Sequence, residues 1–170
     1  MENFTIRSAY EHEVGDILDF IRQLAAYENL QSEVVATEEM LHEWIFARQN
    51  AEVLFALEGD KKVGFALYFH NFSTFLGRSG LYLEDLFVLP EYRGKGYGKE
   101  LLRTLARIAV ERGYGRMEWS CLDWNEPSIA FYRSLGAVPM DEWTVYRLEG
   151  KTLEDVAGVG GFGFCYFVYG

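Results

Sequence analysis

A strand that runs straight into a glycine loop and then into a helix constrains this chain more than any other feature. Leu81-Tyr82-Leu83-Glu84-Asp85-Leu86-Phe87-Val88 has the length and residue types of a strand. Pro90 ends it, Arg93-Gly94-Lys95-Gly96-Tyr97-Gly98 follows, and Leu101, Leu102, Leu105, Ala106 and Ala109 mark the inner face of a helix over about residues 98–112. Glycines on alternate positions let backbone N–H groups turn toward a ligand, and the helix start adds its positive dipole end. Such a loop suits a pyrophosphate. Its Gly-x-Gly-x-Gly spacing is not the Gly-x-Gly-x-x-Gly of dinucleotide folds, and no Gly-x-x-x-x-Gly-Lys-Ser/Thr loop is present. On spacing alone, a plain strand-to-helix turn is the alternative.

The strand carries an anomaly. Glu84 and Asp85 interrupt its middle, and neighbouring residues of a regular strand face opposite sides of the sheet, so both cannot lie on one solvated face. Elsewhere the pattern gives a strand over Phe4 to Ser8, a helix over about residues 12–27 and a second helix capped by Thr37. A hairpin of Glu52 to Glu58 with Lys62 to His70 follows, then a polar loop from Asn71 to Gly80. Met117 to Cys121 reads as a strand, Glu126 to Leu135 as a helix closed by Gly136, and Trp143 to Leu148 as a last strand.

Charge and composition narrow the class. With 170 residues, 49% of them hydrophobic, the chain reads as one globular domain over residues 1–157, followed by an apolar Gly/aromatic tail, 158–170, to which no chemistry is assigned. Sixteen Lys and Arg against 26 Asp and Glu give a net charge of −10, which excludes a nucleic-acid partner and favours a small cationic one. The bases gather locally: Arg93, Lys95, Lys99, Arg103, Arg107, Arg112 and Arg116 outnumber Glu100 and Glu111 in their stretch. Three scattered His and two Cys give no metal-ligand spacing, so no metal is expected. No apolar run is long enough to span a membrane and no secretory leader opens the chain, so a cytoplasmic protein is expected.

The stretch from Leu86 through Pro90 to Gly98 resembles the acetyl-CoA motif of the GNAT N-acetyltransferase superfamily, Arg/Gln-x-x-Gly-x-Gly/Ala, here Arg93, Gly96 and Gly98. Trp124-Asn125-Glu126-Pro127-Ser128-Ile129-Ala130-Phe131-Tyr132, with Leu135-Gly136-Ala137 after it, is similar to the same superfamily's second motif. Leu81 to Asp85, Tyr27-Glu28 and Asn125 to Ser128 are similar to the spermidine/spermine branch, which includes the thialysine N-epsilon-acetyltransferases. The resemblance covers about residues 3–150. It implies an α/β (α+β) fold: a mixed, mostly antiparallel twisted sheet with flanking helices, whose fourth and fifth strands splay to admit the cofactor.

It also implies roles. Glu84 is the general base and Tyr132 the general acid, while Tyr27, Glu28, Glu84, Asp85 and Phe75 contact the substrate. Acetyl-CoA is expected along Leu86, Phe87 and Val88, over the loop of Arg93, Gly94, Lys95, Gly96, Tyr97, Gly98 and Lys99, and at Asn125, Ser128, Tyr132 and Arg133. A homodimer is implied as well. The polyamine enzymes carry an acidic residue and a Trp in the loop that is Asn71 to Arg78 here, whereas Ser73, Thr74 and Phe75 look more like the thialysine branch. The expected activity is transfer of an acetyl group to a small primary amine. The alternatives are acetylation of a protein lysine or N-terminus, and a non-catalytic acyl-CoA sensor.

Overall fold

The computed structural model describes residues 3–159, and the chain divides into two compact units between Leu122 and Asp123. The first unit holds a five-stranded sheet in sequential order: β1 Phe4–Ser8, β2 Glu52–Glu58, β3 Lys61–Ser73, β4 Arg78–Val88 and β5 Met117–Trp119. All neighbours are antiparallel except β4 and β5, which run parallel. Helix α1 spans Val14–Glu28; α2, Glu38–Leu41, continues as a π turn over His42–Ala47; α3 spans Tyr97–Glu111. The second unit contains α4 Glu126–Ser134 and α5 Gly150–Ala157. The expected mixed, mostly antiparallel sheet with flanking helices is present.

Helical periodicity builds the two layers around this sheet. Ile17 and Phe20 of α1 recur on one side and pack with Phe55, Phe65 and Phe87, the Phe20 ring lying 5.8 Å from Phe55 and 5.3 Å from Phe65. Asn29 ends α1 in a left-handed conformation (φ 60°), which a short polar side chain tolerates. Thr37 caps α2 as expected, its Oγ1 accepting a hydrogen bond from the Met40 N–H at 3.3 Å. Leu101 and Leu105 of α3 are fully buried, and Gly98 lies against Leu86 and Val88, the β4 residues that face away from α1.

Two expectations fail. The stretch from Asn71 to Gly80 is not a loop: β3 and β4 stay paired out to Ser73 and Arg78, leaving only residues 74–77 as a turn. Polar residues can take ladder positions when side chains satisfy them, as Ser73, buried, does by accepting from the Leu76 N–H at 3.2 Å, and Asn71 by donating to Glu118 at 2.9 Å; composition therefore does not distinguish strand from loop here. Trp143 to Leu148 forms no strand, and Trp143, Val145 and Tyr146 are exposed. Alternation selects a face but a strand also needs a ladder partner, and the second unit has no strand among its described residues. The apolar tail from residue 160 onward lies outside the described residues. Among the described residues no helix is long and apolar enough to cross a membrane.

Candidate active site

A break in register resolves the anomaly of Glu84 and Asp85. Leu67 of β3 pairs with Asp85, but the next residue, Tyr68, pairs with Leu83, so Glu84 is an extra residue in β4. Phe87 and Asp85 stand opposite Phe65 and Leu67 on the α1 face, while Leu83 stands opposite Tyr68 on the other. Glu84, inserted after Leu83, therefore falls on the α1 face beside Asp85. The bulge does what a regular strand cannot: it sets two adjacent carboxylates on one side.

Glu28, at the end of α1, completes a group of three acids. Burial pushes the half-buried Asp85 carboxyl up to about 7, and the negative charges of Glu84 and Glu28 add to the shift. Burial also raises Glu28. Among the described residues none of the three is in ion-pair distance of a Lys, Arg or His. Glu84 is exposed. The group has the electrostatics of a site awaiting a cation.

The same strand offers an unpaired edge. β5 pairs with β4 only over Leu81–Leu83 and ends at Trp119. The Leu89 N–H donates to the Val63 carbonyl at 2.9 Å, so by antiparallel alternation Asp85 and Phe87 also bond to β3. Leu86 and Val88 then turn their N–H and C=O groups to the side that β5 leaves open, where the Val88 carbonyl accepts from the Arg93 Nε and the other groups face no strand. An extended chain bearing amides fits such an edge. Phe87 is placed differently from these two: its ring meets Tyr27, with centroids 6.4 Å apart.

Of the three glycines, two are required by conformation. Gly94 (φ 80°) and Gly96 (φ 87°) are left-handed, whereas Gly98 is the second residue of α3. The first helical N–H with a partner in α3's own ladder belongs to Glu100, bonded to the Gly96 carbonyl at 3.1 Å, so those of Tyr97, Gly98 and Lys99 precede the ladder. An anionic diphosphate fits that set of donors. Arg93, expected to add charge there, is a strut instead: its Nε donates to the Val88 carbonyl at 3.0 Å and its guanidinium lies 4.5 Å above the Tyr27 ring. Lys95 is ion-paired to Glu58 and Lys99 is exposed. Glu58 gave no signal in the sequence, since an acid at a hairpin end 37 residues before Lys95 reads as solvated surface.

The remaining predicted residues lie apart from this group or in the second unit. Phe75 sits in the β3–β4 turn, 96% exposed. Glu84 lies six residue steps along the strand from Arg78, roughly 20 Å, so a single chain does not bring Phe75 to the carboxylates. In the second unit, buried Asn125 caps α4 by accepting from the Ser128 N–H at 3.4 Å. Tyr132 follows on that helix, its ring 5.4 Å from Phe131, and Arg133 is exposed. Among the described residues no cluster of three or more His, Cys, Asp or Glu is arranged to hold a metal.

Comparison with known proteins decides what kind of fold presents this edge and loop. Residues 18–137 match the model of the acetyltransferase (GNAT) family. The chain belongs to that family. It is 38% identical to the thialysine N-epsilon-acetyltransferase of Bos taurus over 165 residues, covering 90% of this chain and 96% of that protein. It is 32% identical to the corresponding Caenorhabditis elegans enzyme over 162 residues, 92% and 99% of the two chains. Among solved structures, an integron cassette protein from V. cholerae superposes with a TM-score of 0.77 at 30% identity, covering 92% of this chain and 99% of that one. The GNAT chain described here is thus an acetyltransferase, with relatives that act on small amines.

Proposed function

We propose that this GNAT enzyme moves an acetyl group from acetyl-CoA, by direct attack, onto the primary amine of a small cationic substrate. The observation that carries the reading is the β4 bulge, which gathers Glu84, Asp85 and Glu28 on one face of the strand whose edge is open. An alkyl ammonium of pKa ~10 is only about one part in a thousand neutral at pH 7, so a base must take its proton before it can attack. Glu84, exposed and next to Asp85, takes that proton directly or through a water. Asp85 and Glu28, with the Tyr27 ring beside them, hold the cation.

Acetyl-CoA supplies the thioester. The amides of Leu86 and Val88 hold its extended arm, and the N–H groups from Gly94 to Lys99 hold its diphosphate. Asn125, Ser128 and Arg133 add contacts from α4, and Tyr132 gives a proton to the departing thiolate. Residues 1–157 act as one catalytic domain, as a homodimer in the cytoplasm, in keeping with the resemblance to the thialysine enzymes.

The favoured amine is a lysine-like amino acid such as thialysine, ahead of a polyamine. The thialysine relatives support this, as does the absence of any acid from Asn71 to Arg78. The test is acetyl-CoA-dependent thiol release with thialysine, lysine, short diamines, spermidine and a basic peptide. Turnover of thialysine or lysine above the rest supports the reading. Preference for spermidine overturns the amine assignment, preference for the peptide favours a protein acetyltransferase, and acetyl-CoA binding with no turnover of any amine favours a sensor.

A further inference from the structure

The glycine loop carries one contact that neither the fold nor the proposed reaction requires. Lys95, between the two left-handed glycines, places its Nζ 2.9 and 3.1 Å from the two carboxylate oxygens of Glu58 at the end of β2. The Tyr97 hydroxyl donates to the same carboxylate. Tyr97 is itself fixed: it is buried, and its ring stacks on Phe4 with centroids 4.3 Å apart. Lys61 and Lys95 both lie over the Tyr92 ring, each ammonium 4.8 Å from its centroid, and Lys61 reaches Glu91 at 3.9 Å. A carboxylate held against a loop that offers N–H groups to an anion works against that anion. Its presence calls for a role.

The two ends of the pair are held unequally. Glu58 is tethered to a buried phenol, whereas Lys95 has water on one side, with 47% of its side chain exposed. Exposed ion pairs are weak, and a phosphate offers an ammonium more charge and more acceptor oxygens than a carboxylate does. When an anion reaches the loop, Lys95 is the half that moves.

We propose that Glu58 is a latch on the glycine loop, which holds the Lys95 ammonium until a phosphate of coenzyme A draws it away. Glu58 is then a positioning residue that weakens cofactor binding and keeps the empty loop in one conformation. The inference rests on the proposed use of acetyl-CoA by this loop, and it adds a residue from β2 to that site.

The test is titration calorimetry with acetyl-CoA on the wild-type protein, Glu58→Gln and Tyr97→Phe, at low salt and near ~1 M salt. Glu58→Gln keeps an acceptor for Tyr97 and removes the charge. It is expected to bind acetyl-CoA about three- to tenfold more tightly at low salt, with the advantage lost at high salt and appearing in KM rather than kcat. Tyr97→Phe, which leaves the charge pair intact, gives no salt-sensitive gain. Equal or weaker binding by Glu58→Gln overturns the latch. A second readout needs no substitution: the Glu58 carboxylate, followed by carbon-13 NMR, titrates at higher pH once acetyl-CoA is added, because Lys95 has left it. An unchanged titration overturns the latch as well. Failure of the wild-type protein to bind acetyl-CoA at all overturns the underlying reading of the loop instead.

Discussion

Glu13 and Asp85 are both carboxylates set against the sheet of the first unit, yet their surroundings are opposite. Glu13, buried at the start of α1, accepts two hydrogen bonds from Arg7 at 2.8 Å and one from the Tyr10 N–H at 2.8 Å, and pairs with Lys62 at 2.7 Å. Those partners, the Arg7 hydrogen bond foremost, hold its carboxyl well below the usual carboxylate range. Asp85 has two other acids for neighbours and is pushed the other way. One carboxylate is satisfied by its own chain and joins β1, α1 and β3. The other leaves its charge uncompensated until something cationic arrives. Stability is built at the first, and the second is where the proposed reaction would hold and deprotonate its amine.

The contrast breaks most visibly at Glu84. Glu84→Gln keeps the size of the side chain and the bulge but removes the proposed base, and kcat/KM for the amine is expected to fall by about two orders of magnitude or more. Unfolding by urea is expected to be little changed, because Glu84 is exposed. A variant that lost stability and kept its turnover would reverse the roles assigned to the two groups. Glu13→Gln is the complementary experiment. It leaves Arg7 and Lys62 without their shared partner and is expected to lower stability by about 3 kcal/mol at pH 7, read from urea unfolding. Because Glu13's folded pKa is depressed, its stabilisation is present above the unfolded carboxylate value and fades as pH falls through the folded one. The difference from wild type should therefore shrink in acid.

How much of this was legible beforehand differs by element. The α1 and α3 periodicities, the Thr37 cap and the strand–loop–helix order could be read directly, since each is a local pattern that tertiary packing reinforces. The bulge could be sensed only as a contradiction, two acids in an apolar run, because register is set by the partner strand and not by β4 itself. Glu58 could not be found, since its link to Lys95 and Tyr97 exists only after β2 and the glycine loop come together. Trp143 to Leu148 misled for the converse reason: the pattern of a strand was there, but no described neighbour in its unit supplies a ladder.

Asp85→Asn sharpens the comparison through pH. Its folded pKa of about 7 lies above the unfolded value near ~3.9, so the native state binds more protons between those limits and loses stability as pH rises through them. Replacement by Asn removes that loss. The variant is expected to be more stable than wild type by up to about 4 kcal/mol above pH 7 and indistinguishable below about pH 4, the opposite sign to Glu13→Gln. It is also expected to raise KM for a cationic amine. In the wild-type enzyme that KM should fall as pH rises through about 7, when Asp85 becomes charged.

The smallest expected effect belongs to Phe75, and it concerns the two ends of β4. At one end the bulge collects acids; at the other, the β3–β4 turn holds Phe75 almost fully in water. The regular ladder between them is stiff, and roughly 20 Å of strand separates Arg78 from Glu84. Within one chain, then, Phe75 has no route to the carboxylates, although its loop is where the thialysine and polyamine branches differ in sequence. Phe75→Ala is expected to change kcat/KM for thialysine by less than about twofold and to leave urea unfolding unaltered. A larger loss of activity would require the turn to enter the site of another copy. Dilution would then expose it, because activity would fall with protein concentration as the copies separate.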